Sequence, residues 1–189
     1  MNLTMQEWDA WLSAHAATER EAWLVVARKG AVGLTAPEAG DVAIGHGWID
    51  GHRKRFDDTH FLQRYSPRRP GSPWSAVNVA RVEALTTAGR MRPGGLAQVD
   101  AAKADGRWAA AYAPQRTAEP PAVLVDALAA DPAAAAAFEA LSRSERYGLF
   151  LPILKARTDT TRARTLRTAL ERLTACQLRP GRAGRCPGC

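Results

Sequence analysis

The sequence contains little cysteine, little lysine and no long apolar run. Its three cysteines, Cys176, Cys186 and Cys189, all lie near the C-terminus. None of them is placed to form a disulfide bond within a core, which favours a reducing compartment. No apolar stretch approaches the roughly 18 residues that a membrane-spanning helix requires. The N-terminal residues also lack the basic, apolar and cleavage-site segments of a secretory signal, so we expect a cytoplasmic protein.

The composition is that of a folded protein. Of the 189 residues, 46% are hydrophobic and 24% are charged, which excludes wholesale disorder and a collagen-like chain. A chain of this length buries a core without disulfides. The net charge is +7, which favours anionic partners but does not separate nucleic acid, anionic lipid and a phosphorylated small molecule.

Local signals predict an α+β fold. Capping boxes at Thr4–Glu7 and Thr35–Glu38 predict a helix over about 5–17 and a second helix that ends near Gly45. Three apolar runs bounded by turn residues predict strands at 23–29, 47–52 and 59–65. The last two are spaced as an antiparallel hairpin. We therefore predict a small antiparallel sheet of about three strands, packed with helices, in a module over residues 1–113.

Further helices follow the predicted sheet. Ser72 followed by Pro73 is typical of an N-cap before a first-turn proline, and it predicts a helix that ends at Gly89. Another helix is predicted over 96–112. The proline-rich residues 114–121 are interpreted as a linker, and 122–177 as a helical module. Residues from Arg179 onward contain no large apolar group, and we expect a disordered tail over 178–189.

Residues 46–92 carry the most unusual motifs. They include Gly47-Trp48-Ile49-Asp50-Gly51, Pro67-Arg68-Arg69-Pro70, Ser72-Pro73-Trp74-Ser75 and Gly89-Arg90-Met91. With Asp105-Gly106-Arg107-Trp108 and the helical block that contains Asp131-Pro132, these motifs make the chain similar to the YdeI/OmpD-associated, or bacteriocin-protection, family over roughly residues 6–175. The resemblance implies a role in resistance to a peptide toxin or antibiotic. It also implies an outer-membrane porin as partner, which the missing export signal disfavours.

The chain departs from that family at one place. Gly45 and His46 precede Gly47, where relatives carry Cys-Phe. Any role of that cysteine is therefore absent from this chain.

The predicted helix start at Ser72 is a candidate anion site. The first N–H groups of a helix lack partners and lie at the positive end of its dipole. Arg68 and Arg69 precede Ser72, and Arg53 in the hairpin adds positive charge. In the alternative interpretation, Ser72 only caps its helix. The arginines then pair with three nearby carboxylates: Asp50, Asp57 and Asp58.

The candidate ligand-binding residues combine apolar walls with polar groups. The candidates are Trp48, Asp50, Arg53, Arg68, Arg69, Ser72, Trp74 and Asn78. Trp48 and Trp74 are interpreted as either pocket walls or core, and large aromatic side chains are more often core. Asp50 is either a general base or the partner of an arginine.

The acid–base candidates are Asp50, His46 and His52. His46 and His52 would share a strand face because their separation is even. With His60 and Asp57 or Asp58 they could converge on a metal, but no established ligand spacing supports this, and we expect no metal or cofactor. The Cys186–Cys189 pair lacks the second pair that a zinc site needs. Motifs of serine hydrolases, phosphate loops and dinucleotide binding are missing.

Three functional hypotheses follow. The first is a ligand-binding protein that contributes to resistance by binding a small anionic or polar-aromatic compound. The second is an enzyme that acts on a small molecule in the same pocket. The third is a nucleic-acid-binding protein, suggested by four arginines in the last predicted helix: Arg162, Arg164, Arg167 and Arg172. A solvated helix face explains these arginines equally well.

Overall fold

The computed structural model describes residues 1–177, so the predicted disordered tail lies outside the described residues. The chain divides into two compact units, Met1–Ala111 and a second unit that starts at Tyr112. The prediction of a 1–113 module, a 114–121 linker and a 122–177 module stays a prediction. One antiparallel three-stranded sheet occurs among several helices, which confirms the α+β class. No helix within the described residues is both long and apolar enough to cross a bilayer.

The first unit alternates helices and strands before it ends in two helices. Its elements are α1 (Met5–His15), β1 (Ala22–Ala27), α2 (Ala36–Gly45), β2 (Trp48–Arg55), β3 (His60–Pro67), α3 (Ala76–Thr87) and α4 (Pro93–Ala104). The second unit is helical in its described part. Its elements are α5 (Ala122–Ala130), α6 (Pro132–Ala140), α7 (Arg143–Leu154) and α8 (Asp159–Gln177).

Capping boxes fix the starts of α1 and α2, as the sequence predicts. The Thr4 and Thr35 side chains accept hydrogen bonds from the N–H groups of Glu7 and Glu38. In turn, the carboxylates of Glu7 and Glu38 accept hydrogen bonds from the N–H groups of Thr4 and Thr35. Each box satisfies donors that would otherwise lack a partner at the helix start. Four consecutive residues are enough to set this geometry, so it is predictable from the sequence alone.

The sheet has the strand order β1-β3-β2, with both pairs antiparallel. The predicted hairpin is confirmed, since β2 and β3 pair from Trp48–Pro67 to Arg55–Phe61. The register shifts between Asp50 and Arg53, which marks a β-bulge. A bulge adds a residue to one strand and reverses the faces of the side chains that follow it.

The core of the first unit lies between one face of this sheet and helices α1 and α2. Its largest members are Trp8, Leu12, Leu24, Trp48 and Tyr65, each at most 1% exposed. Burial of such side chains contributes about 1.5–3 kcal/mol each. The Trp8 indole N–H donates to the Ala39 carbonyl at 3.1 Å, so α1 is tied to α2 through the core.

Glycines allow the end of α2 to touch the start of α4. A Cβ atom on Gly95 would lie 2.1 Å from the Gly45 carbonyl oxygen, and one on Gly94 would lie 2.8 Å from that of His46. Gly47 has a φ of +81° and leads the chain from α2 into β2. The first glycine of the Gly47–Gly51 motif is therefore required by this turn and by close packing.

The prediction that Ser72 starts α3 is wrong. Helix α3 begins at Ala76, and Ser75 is its N-cap, with its hydroxyl accepting from the Asn78 N–H at 3.2 Å. The Ser72 carbonyl accepts from Arg107, and the Pro73 carbonyl accepts from Arg68. Because these carbonyls are bonded to side chains, the segment before Ser75 stays outside the helix. The helix predicted over 96–112 also differs, since α4 covers Pro93–Ala104.

The second unit has its own apolar core. It is formed by Leu124, Ala134, Phe138, Phe150, Ile153, Ala169 and Leu173. Leu166 and Leu170 of α8 pack against this cluster. Asp131 caps α6, and Ser142 forms a capping box with Glu145 at the start of α7. Helix α7 continues through Pro152 to Leu154, so the proline does not interrupt it.

Candidate functional site

A cavity of about 130 Å³ lies in the first unit beside the edge strand β2. Four elements contribute to its wall. The lining residues are Ala36, Pro37 and Gly40 from α2, Asp50 and Arg53 from β2, Gln63 and Tyr65 from β3, and Arg81 from α3. Asp50 and Arg53 are the two sequence-predicted ligand-binding residues in this wall.

The bulge in β2 places Asp50 and Arg53 on the same face of the sheet. Three residues apart, they would lie on opposite faces of a regular strand. Asp50 pairs with Tyr65 and, beyond the bulge, Arg53 pairs with Gln63. Directly paired residues share a face, so both charged side chains lie on the face that buries Tyr65 and Gln63. Gly51, inside the strand, is the local sequence signal for this bulge.

Gln63 holds the bulge in place from within the core. Its side chain is 1% exposed. Its amide nitrogen donates to the carbonyls of Gly51 at 3.0 Å and Arg64 at 3.1 Å, and its amide oxygen accepts from Arg53 Nε at 2.7 Å. A buried amide with its groups paired is stable, whereas an unpaired one costs about 1–3 kcal/mol. Gln63 thus positions Arg53 at the cavity wall.

Arg81 faces the cavity from the helical side. Its Nε lies 3.3 Å from Asp41 Oδ1, and both side chains are 30% exposed. A Cβ atom on Gly40 would lie 2.9 Å from a terminal nitrogen of Arg81. The absence of a side chain at residue 40 therefore makes room for the guanidinium group against α2.

Tyr65 and Asp50 supply the remaining polar groups. Burial raises the pKa of the Tyr65 hydroxyl, and the negative charge of Asp50 raises it further, although Arg53 and Arg81 oppose this. The phenol is therefore protonated at neutral pH and acts as a hydrogen-bond donor. Asp50 itself is exposed to solvent. The cavity combines two guanidinium groups and a hydroxyl with one carboxylate.

A second, shallower cavity of about 410 Å³ lies against the starts of α1 and α2. It includes both capping-box carboxylates, Glu7 and Glu38. Hydrogen bonds from Thr4 and Thr35 lower the pKa values of these carboxyl groups. Both carboxylates are therefore engaged in capping, and this cavity lacks the paired guanidinium groups of the first.

The arginine next to the predicted anion site is buried. Arg68 is 5% exposed, its guanidinium carbon lies 3.9 Å from the centre of the Trp74 ring, and it donates to the Pro73 carbonyl at 2.9 Å. Trp74 is 2% exposed and packs in a core cluster with Trp108. Arg107 is also 5% exposed and binds Asp105 as well as the Ser72 carbonyl. These contacts hold the loop from Arg68 to Trp74 together.

The other predicted binding residues lie in different surroundings. Arg69 is exposed, Asn78 is half-buried in the first turn of α3, and Trp48 is 1% exposed in the core of the first unit. The structure does not bring these residues to the cavity wall that holds Asp50 and Arg53. Their assignment to ligand binding stays a prediction.

The two acid–base histidines do not share a strand face as the sequence predicted. His46 is the C-cap of α2 and lies before β2, while His52 follows the start of the bulge. His46 Nε2 lies 2.8 Å from Asp9 Oδ1, and Arg92 donates to the other oxygen of Asp9 at 2.6 Å. This network ties α1 to α2 and α4. Of the three acid–base candidates, Asp50 is the one that lines the cavity.

The proposed convergence of histidines on a metal is not seen. His60 lies near Asp57, whose carboxylate accepts from the N–H groups of Thr59 and His60, and Asp58 pairs with Arg55. Within residues 1–177, no three His, Cys, Asp or Glu side chains are grouped so that they could hold a metal ion. Cys186 and Cys189 lie outside the described residues.

The arginines of α8 lie at the surface of the second unit. Arg164, Arg167 and Arg172 are exposed, and Arg162 pairs with Asp159. This arrangement is that of a solvated helix face opposite a buried leucine stripe.

Three polar residues of the cavity wall were not predicted from the sequence: Gln63, Tyr65 and Arg81. Gln63 and Tyr65 share the buried face of β3 with Phe61, but only the pairing with β2 shows which charges they meet. Arg81 lies on a helix surface rich in polar residues, and no local signal distinguishes it. Its role depends on the contact between α2 and α3.

The fold and the site define a two-unit α+β protein with a small charged cavity at the edge of its sheet. Residues 2–98 match a family described as a domain of unknown function, DUF8412, and residues 117–175 match the family described as bacteriocin-protection, YdeI or OmpD-associated. The chain therefore belongs to the DUF8412 family, whose match covers half of its length, and carries a YdeI/OmpD-associated domain in its second unit. Comparisons with curated proteins and with solved structures give no match.

The second match confirms the family resemblance found in the sequence. It also changes where that resemblance is strongest. The motifs of residues 46–92 fall within the DUF8412 match, whereas the bacteriocin-protection match covers the helical unit.

Proposed function

We propose that the first unit binds a small polar ligand in the cavity lined by Asp50, Arg53, Tyr65 and Arg81, and that the protein contributes in this way to antibiotic or toxin resistance in the cytoplasm. One observation supports the proposal most directly. Charged side chains from one strand and one helix meet two buried polar side chains of the neighbouring strand in one concave site. Convergent polar groups in a concave site are typical of ligand binding.

The size of the cavity limits what enters it. Typical ligand pockets measure roughly 300–1,000 Å³, so a cavity of about 130 Å³ admits a very small molecule or the end group of a larger compound. A whole peptide toxin does not fit. The ligand is therefore either very small or bound by one polar end.

The resistance role is supported by the second unit. Its match to a family described by bacteriocin protection suggests the biological setting, and the cavity in the first unit supplies a binding site. The low cysteine content, with all three cysteines near the C-terminal end of the sequence, favours the cytoplasm.

A growth assay tests this function. A susceptible bacterial strain expressing the wild type, the Arg53→Gln/Arg81→Gln double variant or Arg20→Gln is exposed to a panel of peptide bacteriocins and small polar antibiotics. The wild type and Arg20→Gln should raise the inhibitory concentration of at least one compound, and the double variant should not. Arg20 is the matched control because it is an exposed arginine outside the cavity wall. Protection by the double variant, or by none of the three proteins, would contradict the proposal.

An enzyme in the same cavity is the second candidate function. The observation that favours it is the position of the Asp50 carboxylate beside the Tyr65 hydroxyl, where a base and a proton donor face one ligand. Mass spectrometry of each protective compound after incubation with the protein separates the two functions. Binding alone returns the compound at its original mass, whereas catalysis changes it.

A further inference from the structure

We infer that the cavity beside β2 recognises a zwitterionic end group, in which a carboxylate and a primary ammonium lie on neighbouring atoms, as in a free α-amino acid. This inference rests on the proposed function and names the class of ligand for the same site. It follows from the charges of the side chains in the cavity wall, from their positions and from the hydrogen bonds that they already make within the protein.

The two arginines provide the carboxylate subsite. A guanidinium carries five N–H donors in a planar fork that matches a carboxylate. Arg53 uses its Nε to donate to Gln63 at 2.7 Å, and Arg81 places its Nε 3.3 Å from Asp41. These internal contacts fix the orientation of each guanidinium and leave terminal N–H groups for a ligand. Two oriented guanidinium groups favour a planar anion over a spherical one.

Asp50 provides the ammonium subsite. Its carboxylate lines the same cavity and is held on the same sheet face as Arg53 by the bulge. A simple anion bound to the arginines would lie close to this carboxylate and be repelled by it. A ligand with an ammonium group next to its carboxylate instead satisfies Asp50 and the arginines together.

The Tyr65 hydroxyl and the volume of the cavity further restrict which ligands fit. The pKa of the Tyr65 hydroxyl is raised by burial, so it stays neutral and donates a hydrogen bond without adding charge. The volume of about 130 Å³ accepts the amino and carboxylate groups of an amino acid with a small side chain. A larger side chain would have to extend out of the cavity into solvent.

Calorimetric titration with three matched probes tests the inference. L-alanine carries both charges, N-acetyl-L-alanine only the carboxylate and L-alaninamide only the ammonium. The wild type should bind L-alanine about tenfold or more tightly than either blocked probe, equivalent to about 1.4 kcal/mol. Asp50→Asn should abolish the preference for L-alanine over N-acetyl-L-alanine. Arg81→Gln should abolish the preference for L-alanine over L-alaninamide. Arg20→Gln is the control and should bind as the wild type does, because Arg20 is exposed and lies outside the cavity wall.

Several outcomes overturn the inference. Equal or tighter binding of N-acetyl-L-alanine would show a simple anion site, and absence of L-alanine binding would exclude a free amino-acid ligand. Circular dichroism of each variant checks that it is folded, and Asp50→Asn keeps the side-chain shape. If cavity-dependent protection in the growth assay persists while L-alanine does not bind, the inference fails and the proposed function stands. If cavity variants protect cells as the wild type does, the proposed function fails as well.

Discussion

Two pairs of arginines in the first unit serve different purposes. Arg68 and Arg107 are both 5% exposed, and they donate to the backbone carbonyls of Pro73 and Ser72. Arg53 and Arg81 line a cavity, and each contacts a side chain through its Nε. The first pair holds a loop in place, whereas the second pair presents donors to a concave surface.

The difference shows why a run of arginines does not identify a binding site. The Pro67–Pro70 motif attracts attention because two arginines precede a serine–proline helix signal. In the structure, Arg68 lies over the Trp74 ring and is used within the fold. Arg53 belongs to a charged strand end that looks solvated, yet the bulge turns it towards the cavity. Burial and the identity of the hydrogen-bond acceptor separate the two kinds of arginine.

The largest effect on stability is expected for Arg107→Ala. This change removes a buried guanidinium, takes the side-chain donor from the Ser72 carbonyl and removes the ion pair with Asp105, which keeps the N–H of residue 107 as a donor. We expect the free energy of unfolding to fall by roughly 2–4 kcal/mol. Urea unfolding followed by tryptophan fluorescence measures this loss. Arg107→Lys should lose an intermediate amount of unfolding free energy, because lysine keeps the charge but lacks the planar fork of donors. A loss below about 0.5 kcal/mol for Arg107→Ala would show that Arg107 contributes no more than a surface arginine.

Arg68→Ala should be the next most damaging change. It removes a stacking contact with Trp74 and the hydrogen bond to the Pro73 carbonyl. The expected loss is about 1–3 kcal/mol, measured by the same urea titration. The neighbouring Arg69 is exposed, and Arg69→Ala should change stability by less than about 0.5 kcal/mol. Equal losses at the two positions would remove the distinction between them.

Arg92 is an intermediate case, an exposed arginine paired with Asp9. Burial raises the pKa of Asp9, but hydrogen bonds from Arg92 and His46 outweigh it, and the net pKa is lowered. A carboxyl group with a lowered folded-state pKa stabilises the fold above its unfolded pKa, and this contribution is lost as pH falls through the folded pKa.

Asp9→Asn should therefore lower the free energy of unfolding at neutral pH and change it much less in acid. We expect a loss of about 1 kcal/mol at pH 7, shrinking below a pH of about 3.9, the ordinary pKa of aspartate. Urea titrations of both proteins at several pH values measure this difference. A loss that is the same at pH 7 and in acid would show that the carboxylate charge plays no part.

A small effect on stability is expected for the cavity arginines. Arg81→Gln removes a partly exposed contact with Asp41, and we expect a loss below about 1 kcal/mol. Arg53→Gln removes the Nε donor from the buried Gln63 oxygen, and we expect a loss of about 1 kcal/mol, at the low end of the cost of an unpaired buried amide. Their effect should appear in ligand binding instead. Thermal unfolding of each variant with and without L-alanine measures its stability and its ligand binding. A large loss of stability without ligand would show that Arg53 and Arg81 support the fold, as Arg68 and Arg107 do.

Local features of the fold were predictable, and contacts between distant residues were not. The capping boxes at Thr4 and Thr35 need four residues each, and the hairpin follows from alternation and a short connection. The choice between Ser72 and Ser75 as N-cap depends on Arg107, which lies far along the chain and binds the Ser72 carbonyl. The sequence therefore predicted a helix in this place but not its first residue.

The candidate site was predicted in part for the same reason. Asp50 and Arg53 were among the predicted residues because they are charged and lie in a motif-rich strand. Their shared face depends on the bulge at Gly51, and the cavity needs Arg81 from a helix that packs against α2. A strand parity argument that ignores the bulge places these two residues on opposite faces.

Nuclear magnetic resonance of the arginine Nε–H groups tests the central claim most directly. In ¹⁵N-labelled protein, the signals of Arg53, Arg68, Arg81 and Arg107 are followed as L-alanine is added. The Arg53 and Arg81 signals should move with a common saturation curve, while those of Arg68 and Arg107 stay fixed. Movement at Arg68 and Arg107 with no change at Arg53 and Arg81, or no movement at any of them, would contradict the assignment of the cavity as the binding site.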